Sequence, residues 1–226
     1  MKFSDNTLAV LKNFAAINSG VVLKPGKTQK SISPEKSILV EATIDDDIPT
    51  QFGIYDLNQF LGNLTTLRNP ELTFSNDAVK LDDGELSFDY RACSANLIIT
   101  PPDKELVLKS VDVTFSLPNV TLQKLIKVAT MNNLPNLTVV GKDGELRLKI
   151  HERSNDTSNE GSVKIGEYAG ADFSATFKTE NLKLLPDDYN VELQNGAFAK
   201  FVNVNGNLKY FIALETKQCP RMFGVM

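Results

Sequence analysis

Three segments of the chain carry lysine or arginine but no carboxylate. They are Asn6–Asn18, Leu57–Asn69 and Leu117–Asn133, and their basic residues are Lys12, Arg68, Lys124 and Lys127. The whole chain is acidic, with 28 Asp and Glu against 24 Lys and Arg, so an even distribution would place about five acids in these segments. Exclusion of acids from one set of surfaces favours a negatively charged partner. The chemistry available to these residues is attraction of a polyanion.

Lysine–phosphate contacts of this kind are weak and carry no sequence information. Two unit charges about 4 Å apart gain only about 1 kcal/mol in water. These segments lack the interleaved aromatic residues that stack single strands, and they lack an Asn/Arg cluster suited to base edges. Tracking of a duplex backbone is therefore favoured over sequence recognition. For any single lysine, a solvated helix face remains the alternative, and the net charge of -4 requires that geometry supply the retention.

Three other motifs could carry chemistry, and each is better explained without it. Gly26-Lys27-Thr28 resembles the end of a phosphate-binding loop, but Val21 occupies the position of the required first glycine. His151, the only histidine, has no nucleophile or metal partner at a motif spacing and is interpreted as a strand-end surface residue. Asp45–Asp47 lacks the spacing of a calcium loop and is interpreted as a solvated acidic turn before Pro49. We expect no enzyme, no metal and no cofactor.

Composition indicates a folded soluble protein of one large or two smaller domains. The chain has 226 residues, 42% of them hydrophobic and 23% charged. The N-terminus shows no signal-peptide core, and no stretch approaches the roughly 20 apolar residues of a membrane span. Cys93 and Cys219 lie far apart without a paired motif, which favours a reduced cytosolic setting.

The elements that must position the lysines are helices on antiparallel sheet. Strand patterns dominate from Ile38 to Leu214, and four dipeptides suited to tight hairpins interrupt them: Asp83-Gly84, Asp143-Gly144, Asn195-Gly196 and Asn205-Gly206. In the third acid-free segment, Leu122 and Leu125 share an apolar face, with Lys124 and Lys127 nearly opposite. A fourth helix is expected at roughly Lys178–Leu185, ending before a proline.

Two similar domains are predicted. Pro101-Pro102-Asp103-Lys104-Glu105 is typical of a solvated, extended connector. The halves on either side each show the order helix, strands, helix, strands, and Val10-Leu11-Lys12 corresponds to Leu125-Ile126-Lys127. The expected boundaries are residues 1–103, a connector at 104–110, and residues 111–226 with a tail from about 217.

Several motifs resemble the sliding clamps of T4-like bacteriophages. The N-terminal motifs are Met1-Lys2-Phe3-Ser4, Leu11-Lys12-Asn13-Phe14-Ala15-x-Ile17-Asn18-Ser19-Gly20 and Ile54-Tyr55-Asp56-Leu57-Asn58-x-Phe60-Leu61-Gly62, and Leu122-Gln123-x-Leu125-x-x-Val128 lies in the second half. The similarity extends to about Glu215. It implies an α+β clamp fold, with two similar domains per subunit, each with two helices on antiparallel sheets, and three subunits in a closed ring.

The resemblance also implies a function in DNA replication. Such a ring encircles duplex DNA, tethers the replicative polymerase and is loaded by an ATP-driven clamp loader. Late-transcription factors are further implied partners. The resemblance implies no catalytic activity and no cofactor, and it places a virus-encoded protein in the cytoplasm of the bacterial host.

The resemblance further assigns roles to particular residues. The DNA-facing set is Lys12, Lys124 and Lys127, then Lys178 and Lys183 on the fourth helix, with Lys2 and Arg68 as weaker candidates at helix ends. The partner-peptide set is Leu106, Val107 and Leu108, with Ile212 and Leu214 as neighbours; a plain core strand is the alternative. The second helix offers only uncharged polar groups, so the second domain should carry more of the positive field.

Two other classes of function compete with the clamp. One is a non-enzymatic β-rich phage structural or assembly protein with incidental lysines. The other is a small-molecule-binding barrel, which the polar helices and the internal repeat disfavour. The tail Lys217–Met226 has no clear helix or strand pattern, and disorder and docking on a partner both remain open for it.

Overall fold

A computed structural model describes residues 1–155 and 157–215. The described chain divides into two compact units. Unit 1 comprises Met1–Pro34 and Leu39–Lys104, and unit 2 comprises Glu35–Ile38 and the described residues from Glu105 onward. The division falls after Lys104, and a short segment from the first half of the chain belongs to unit 2. The tail from residue 217, with Cys219, lies outside the described residues.

Unit 1 contains two helices and seven strands. In chain order they are α1 (Asp5–Ile17), β1 (Val21–Leu23), β2 (Gly26–Ile32), β3 (Ile38–Ile48), β4 (Phe52–Ile54), α2 (Leu57–Thr66), β5 (Glu71–Phe74), β6 (Ala78–Asp82) and β7 (Ser87–Arg91). β1 pairs with β4, β2 with β3, and β6 lies between β5 and β7, all antiparallel. The buried rings of Phe14, Phe52 and Phe60 fill the core of this unit.

Unit 2 contains one helix and eight strands among its described residues. They are β8 (Val113–Leu117), α3 (Asn119–Met131), β9 (Asn136–Lys142), β10 (Glu145–His151), β11 (Gly161–Glu167), β12 (Phe173–Lys178), β13 (Tyr189–Leu193), β14 (Phe198–Asn203) and β15 (Leu208–Ala213). One sheet has the order β11-β10-β9-β12, and in the other β8, β13, β14 and β15 are neighbours in that order. Every ladder within these two sets is antiparallel. The predicted α+β architecture of few helices on antiparallel sheets is confirmed.

The prediction of a fourth helix at Lys178–Leu185 is wrong. Only a single 3₁₀ turn forms, at Thr179–Asn181. The next residues bury Leu182 and Leu184 in alternation, which is the pattern of extended chain. Leu185 donates its N–H to the Tyr210 hydroxyl at 3.1 Å, and its carbonyl accepts from the Tyr189 hydroxyl at 2.6 Å. Both backbone groups of Leu185 are therefore bonded to core tyrosines instead of to a helix.

The aspartate cluster Asp45–Asp47 is part of β3 and does not form the expected solvated turn. Asp46 accepts a hydrogen bond from the Ser4 N–H at 2.8 Å, and Asp45 accepts one from Asn6 at 3.0 Å. Ser4 is the N-cap of α1, so these carboxylates lie at the positive end of the helix dipole. The cluster stabilises the start of α1.

Candidate nucleic-acid interface

Helix α3 presents the clearest basic surface. Leu122, Leu125 and Ala129 are its buried residues, while Lys124 and Lys127 are exposed. No carboxylate lies within Asn119–Met131. The N-terminus is capped from outside, because Asp188 accepts the Asn119 N–H at 2.7 Å and Pro118 has no side-chain oxygen to offer. The structure thus confirms the predicted opposition of buried stripe and lysines on this helix.

Helix α1 presents one basic residue. Val10, Leu11 and Phe14 are buried, and Lys12 is exposed on the other side. The helix begins at Asp5, one residue before the acid-free segment, so it does contain a carboxylate in its first turn. A negative charge at this end is favoured by the helix dipole.

Helix α2, which packs beside α1 in unit 1, presents no charge to solvent. Asn58, Gln59, Thr65 and Thr66 are exposed, together with Gly62. Asp56 precedes the helix as its N-cap and accepts from the Gln59 N–H at 2.9 Å. This agrees with the expectation that α2 offers only uncharged polar groups.

The structure does not place the other predicted lysines on a helix. Lys178 is the last residue of β12, and its ammonium lies 3.7 Å from Glu180 and 3.9 Å from Glu215. Lys183 is exposed within the extended segment that replaces the fourth helix. Among the described residues, the positive helix surface of unit 2 is therefore that of α3.

Lys2 and Arg68 lie in the same groove of unit 1. Carboxylates also line this groove, including Asp82 and Asp83. Backbone N–H groups of Leu86 and then of Arg68 hold the pKa of Asp83 below its usual range, so the acid stays charged near neutral pH. Mixed charge makes this groove a weaker attractor of phosphate than α3.

The expected partner-peptide residues differ sharply in accessibility. Leu106, Val107 and Leu108 lie in an irregular segment, and Val107 is 67% exposed. Ile212 and Leu214 are buried, at 0% and 6% exposure, so they belong to the core of unit 2. Ile212 and Leu214 therefore match the alternative of a plain core strand. Of the five expected residues, only those at 106–108 lie in a segment that can offer contact surface to a partner.

An apolar groove beside α3 was not expected from the sequence. It has a volume of about 410 Å³ and lies between α3 and strands β10 and β11. Val120 and Val128 line it from the helix, at 75% and 39% exposure, with Ile150 and Val163 on the sheet side. The sequence signal for this groove is the four-residue spacing of Val120, Lys124 and Val128, because residues at that spacing share one face of a helix.

Two of the edge strands among the described residues lie beside exposed apolar side chains. β11 ends the sheet β11-β10-β9-β12 next to this groove, and β7 ends the sheet β5-β6-β7 in unit 1. Phe88 on β7 is 42% exposed, and Leu86 just before it is 55% exposed. Unpaired edges flanked by exposed apolar residues are typical of sites that pair with another chain.

Comparison with known proteins identifies the family. The sliding clamp of Enterobacteria phage T4 is 30% identical over 225 residues, which cover 95% of this chain and 97% of the relative. The chain belongs to the sliding clamp family. The sliding clamp of Vibrio phage KVP40 is 29% identical, covering 95% of this chain and 99% of that one. Residues 4–88 match the family model of the DNA polymerase processivity factor.

The fold of this clamp also recurs in distant solved structures. PCNA of A. fulgidus, solved with the C-terminal region of FEN-1 bound, superposes with a TM-score of 0.68 at 14% identity. The superposition covers 93% of this clamp and 95% of that chain. The superposition confirms the predicted clamp fold. The processivity-factor function is supported by the sequence relatives and the family model, so a structural or assembly protein is no longer favoured.

The motif Gly26-Lys27-Thr28, which resembles the end of a phosphate-binding loop, is part of a strand in this clamp. Gly26 has a φ of +96° at the start of β2 and is followed by a strand, so no helix N-terminus is present to bind a nucleotide phosphate. Within residues 1–155 and 157–215, no group of three metal-ligating side chains occurs and no helix is long and apolar enough to cross a membrane.

His151 of the clamp belongs to a chain of hydroxyl groups. Its Nε2 atom lies 2.8 Å from the Thr138 hydroxyl, which lies 2.9 Å from that of Thr176. Thr138 and Thr176 are buried. Burial, and then the charge of Lys149, lower the pKa of His151, so the neutral imidazole is favoured. The residue is at the end of β10, as expected, but half-buried and bonded instead of fully on the surface.

Proposed function

We propose that three copies of this clamp close into a ring around duplex DNA and hold the replicative polymerase on it. The observation that carries the proposal is the acid-free surface of α3, with Lys124 and Lys127 opposite the buried stripe. Lys12 on α1 adds a cation from unit 1, and α2 adds none. Unit 2 then supplies more of the positive field, although from one helix instead of two.

The charges suit sliding better than tight binding. Each lysine–phosphate contact in water is worth only about 1 kcal/mol, so it exchanges easily between neighbouring phosphates. The net charge of -4 would repel DNA from most of the surface. A closed ring resolves this conflict, because encirclement holds DNA without tight contacts. The lysines then provide a weak lining.

The open edges support ring closure. Head-to-tail contacts join two different surfaces and form a ring when the rotation between copies closes. β11 with its apolar groove is one such surface, and β7 with Phe88 is the other. We infer that β7 of one copy pairs with β11 of the next and that Phe88 fills the groove beside Val128. Pairing the edges satisfies their unbonded N–H and C=O groups.

The proposed partners follow from the ring. An ATP-driven clamp loader opens and places it, the replicative polymerase binds to it, and late-transcription factors use the same loaded ring. The segment Leu106–Leu108 is proposed as a contact for partner peptides, since Val107 is largely exposed. The clamp itself needs no cofactor and performs no catalysis. It acts in the cytoplasm of the infected bacterium.

Topology gives the decisive experiment. Clamp is loaded with its cognate loader and ATP on nicked circular DNA, and free protein is removed by gel filtration. Clamp should remain on the circle and be lost after a restriction enzyme linearises it. A linear molecule blocked at both ends by bound protein is the matched control and should retain the clamp. Equal loss from circular and linear DNA would refute encirclement.

A further inference from the structure

Two hairpin turns of unit 2 contain the dipeptide Asn-Gly. Asn195-Gly196 connects β13 to β14, and Asn205-Gly206 connects β14 to β15. All four residues are exposed, and both glycines have positive φ, +74° and +72°. The two sites therefore share the Asn-Gly sequence, exposure and a glycine of positive φ, and they differ in how the glycine N–H is bonded.

Asn-Gly is reactive because glycine has no side chain to obstruct its backbone nitrogen. That nitrogen loses its proton and attacks Cγ of the asparagine. The new N–Cγ bond closes a succinimide ring, the Cγ–Nδ2 bond breaks, and ammonia leaves with a proton. Water then adds to either ring carbonyl and opens the ring, giving aspartate or isoaspartate. Water is the only co-reactant, and no electrons are transferred.

The attacking nitrogen is bonded in one turn and not in the other. The N–H of Gly206 donates to the carbonyl of Asn203 at 2.9 Å. In the other turn it is Ala197 that donates to the Gln194 carbonyl, at 3.1 Å. The N–H of Gly196 has no acceptor within the part of the chain that the structure describes. Attack from Gly206 must first break a hydrogen bond, and attack from Gly196 need not.

The surroundings of Asn195 give the modification a local consequence. Its backbone N–H donates to the carboxylate of Asp112 at 2.7 Å, while Gln194 accepts from the Lys109 N–H at 3.0 Å. These two bonds tie the start of unit 2 to the hairpin. A carboxylate created at position 195 would stand close to that of Asp112 and repel it.

We propose that Asn195 is a site of spontaneous deamidation and that Asn205 is protected from it by its turn. The inference is independent of the proposed function, since it concerns only the hairpins of unit 2. One typical hydrogen bond changes a rate by roughly fivefold, so Asn195 should react roughly five times faster than Asn205 in the folded protein.

The experiment compares the two sites in one molecule. The full chain is incubated at neutral and at mildly alkaline pH, digested, and each Asn-Gly peptide is followed by mass spectrometry with isoaspartate detection. Both rates should rise with pH, because the attacking nitrogen must lose its proton. A parallel incubation in denaturant removes the turns and should bring the two rates together.

Three results would overturn the proposal. The first is equal reaction of the two sites in the folded protein. The second is a ratio that stays unchanged in denaturant, which would assign the difference to local sequence. The third is a folded protein in which Asn195 stays intact while the denatured chain reacts.

Discussion

Removal of the two α3 lysines should weaken the attraction of the clamp for DNA. Lys124 also lines the groove beside Val128, but assembly should persist because alanine leaves that groove apolar. In the variant Lys124→Ala/Lys127→Ala, each subunit loses two exposed charges that face away from its buried stripe. Two contacts at about 1 kcal/mol each amount to about 2 kcal/mol, or roughly 30-fold in affinity for each subunit that touches the duplex. Alanine keeps the helix, since it has the highest helix propensity.

Salt dependence measures how many contacts are lost. Binding of the clamp to a short duplex, followed by fluorescence anisotropy between about 50 and 200 mM salt, gives a slope of log affinity against log salt. The slope should become shallower by roughly 0.9 for each phosphate contact removed, so by roughly 2 if one subunit faces the duplex and roughly 5 if all three do.

Lys142→Ala provides the matched control. Lys142 is an exposed lysine at the end of β9 in the same unit, outside α3. It should leave both affinity and slope unchanged, and sedimentation should show intact trimers for every variant. An unchanged slope in the double variant would remove α3 from the DNA-facing surface. An equal effect of the control would show that only overall charge matters.

Three further predictions test the interface, the packing and the titration of the clamp. Val128→Asp should break trimers into monomers in sedimentation, whereas Val204→Asp, at a more exposed valine outside the groove, should not. Trimers in both variants would refute the groove contact. Gly62→Ala should raise stability by about 1 kcal/mol, since it adds helix propensity in open space. Gly53→Ala should lower stability by about 1–3 kcal/mol, since the added Cβ would overlap a backbone carbonyl. If both glycine variants shifted the melting temperature in the same direction, the packing described here would be contradicted. The pKa of His151 is lowered in the folded protein, so the stability that it contributes is complete above about pH 6.5 and falls as the pH drops below that value. Below about pH 6.5 the melting temperature of His151→Gln should therefore depend less on pH than that of the unchanged protein. Parallel plots of melting temperature against pH would contradict this.

The α3 surface shows how far periodicity alone can predict a site. A buried stripe at Leu122 and Leu125 places Lys124 and Lys127 opposite it, because the helix period fixes relative directions around one axis. The same reasoning gave the uncharged solvent face of α2. These predictions needed no knowledge of the rest of the fold and are confirmed.

Predictions that depended on distant partners were less successful. The segment after Lys178 has helical composition, but Tyr189 and Tyr210 bond both backbone groups of Leu185 and hold it extended. The aspartates of β3 have the local pattern of a solvated turn, but the N–H of Ser4, 42 residues away in the chain, donates to Asp46. Such contacts cannot be predicted from local pattern, because the partner is brought close only by the fold.

The sequence by itself determined the acid-free segments, the antiparallel hairpins and the family motifs, since each is a matter of residue type at short spacing. Tertiary structure decided which cations remain on helices, that Ile212 and Leu214 are buried, and that an apolar groove lies beside the open edge of β11. Accessibility and edges are properties of chain segments packed together. A local pattern can set the direction of a side chain on its own helix or strand, but only the surrounding elements decide whether it meets solvent, core or another subunit.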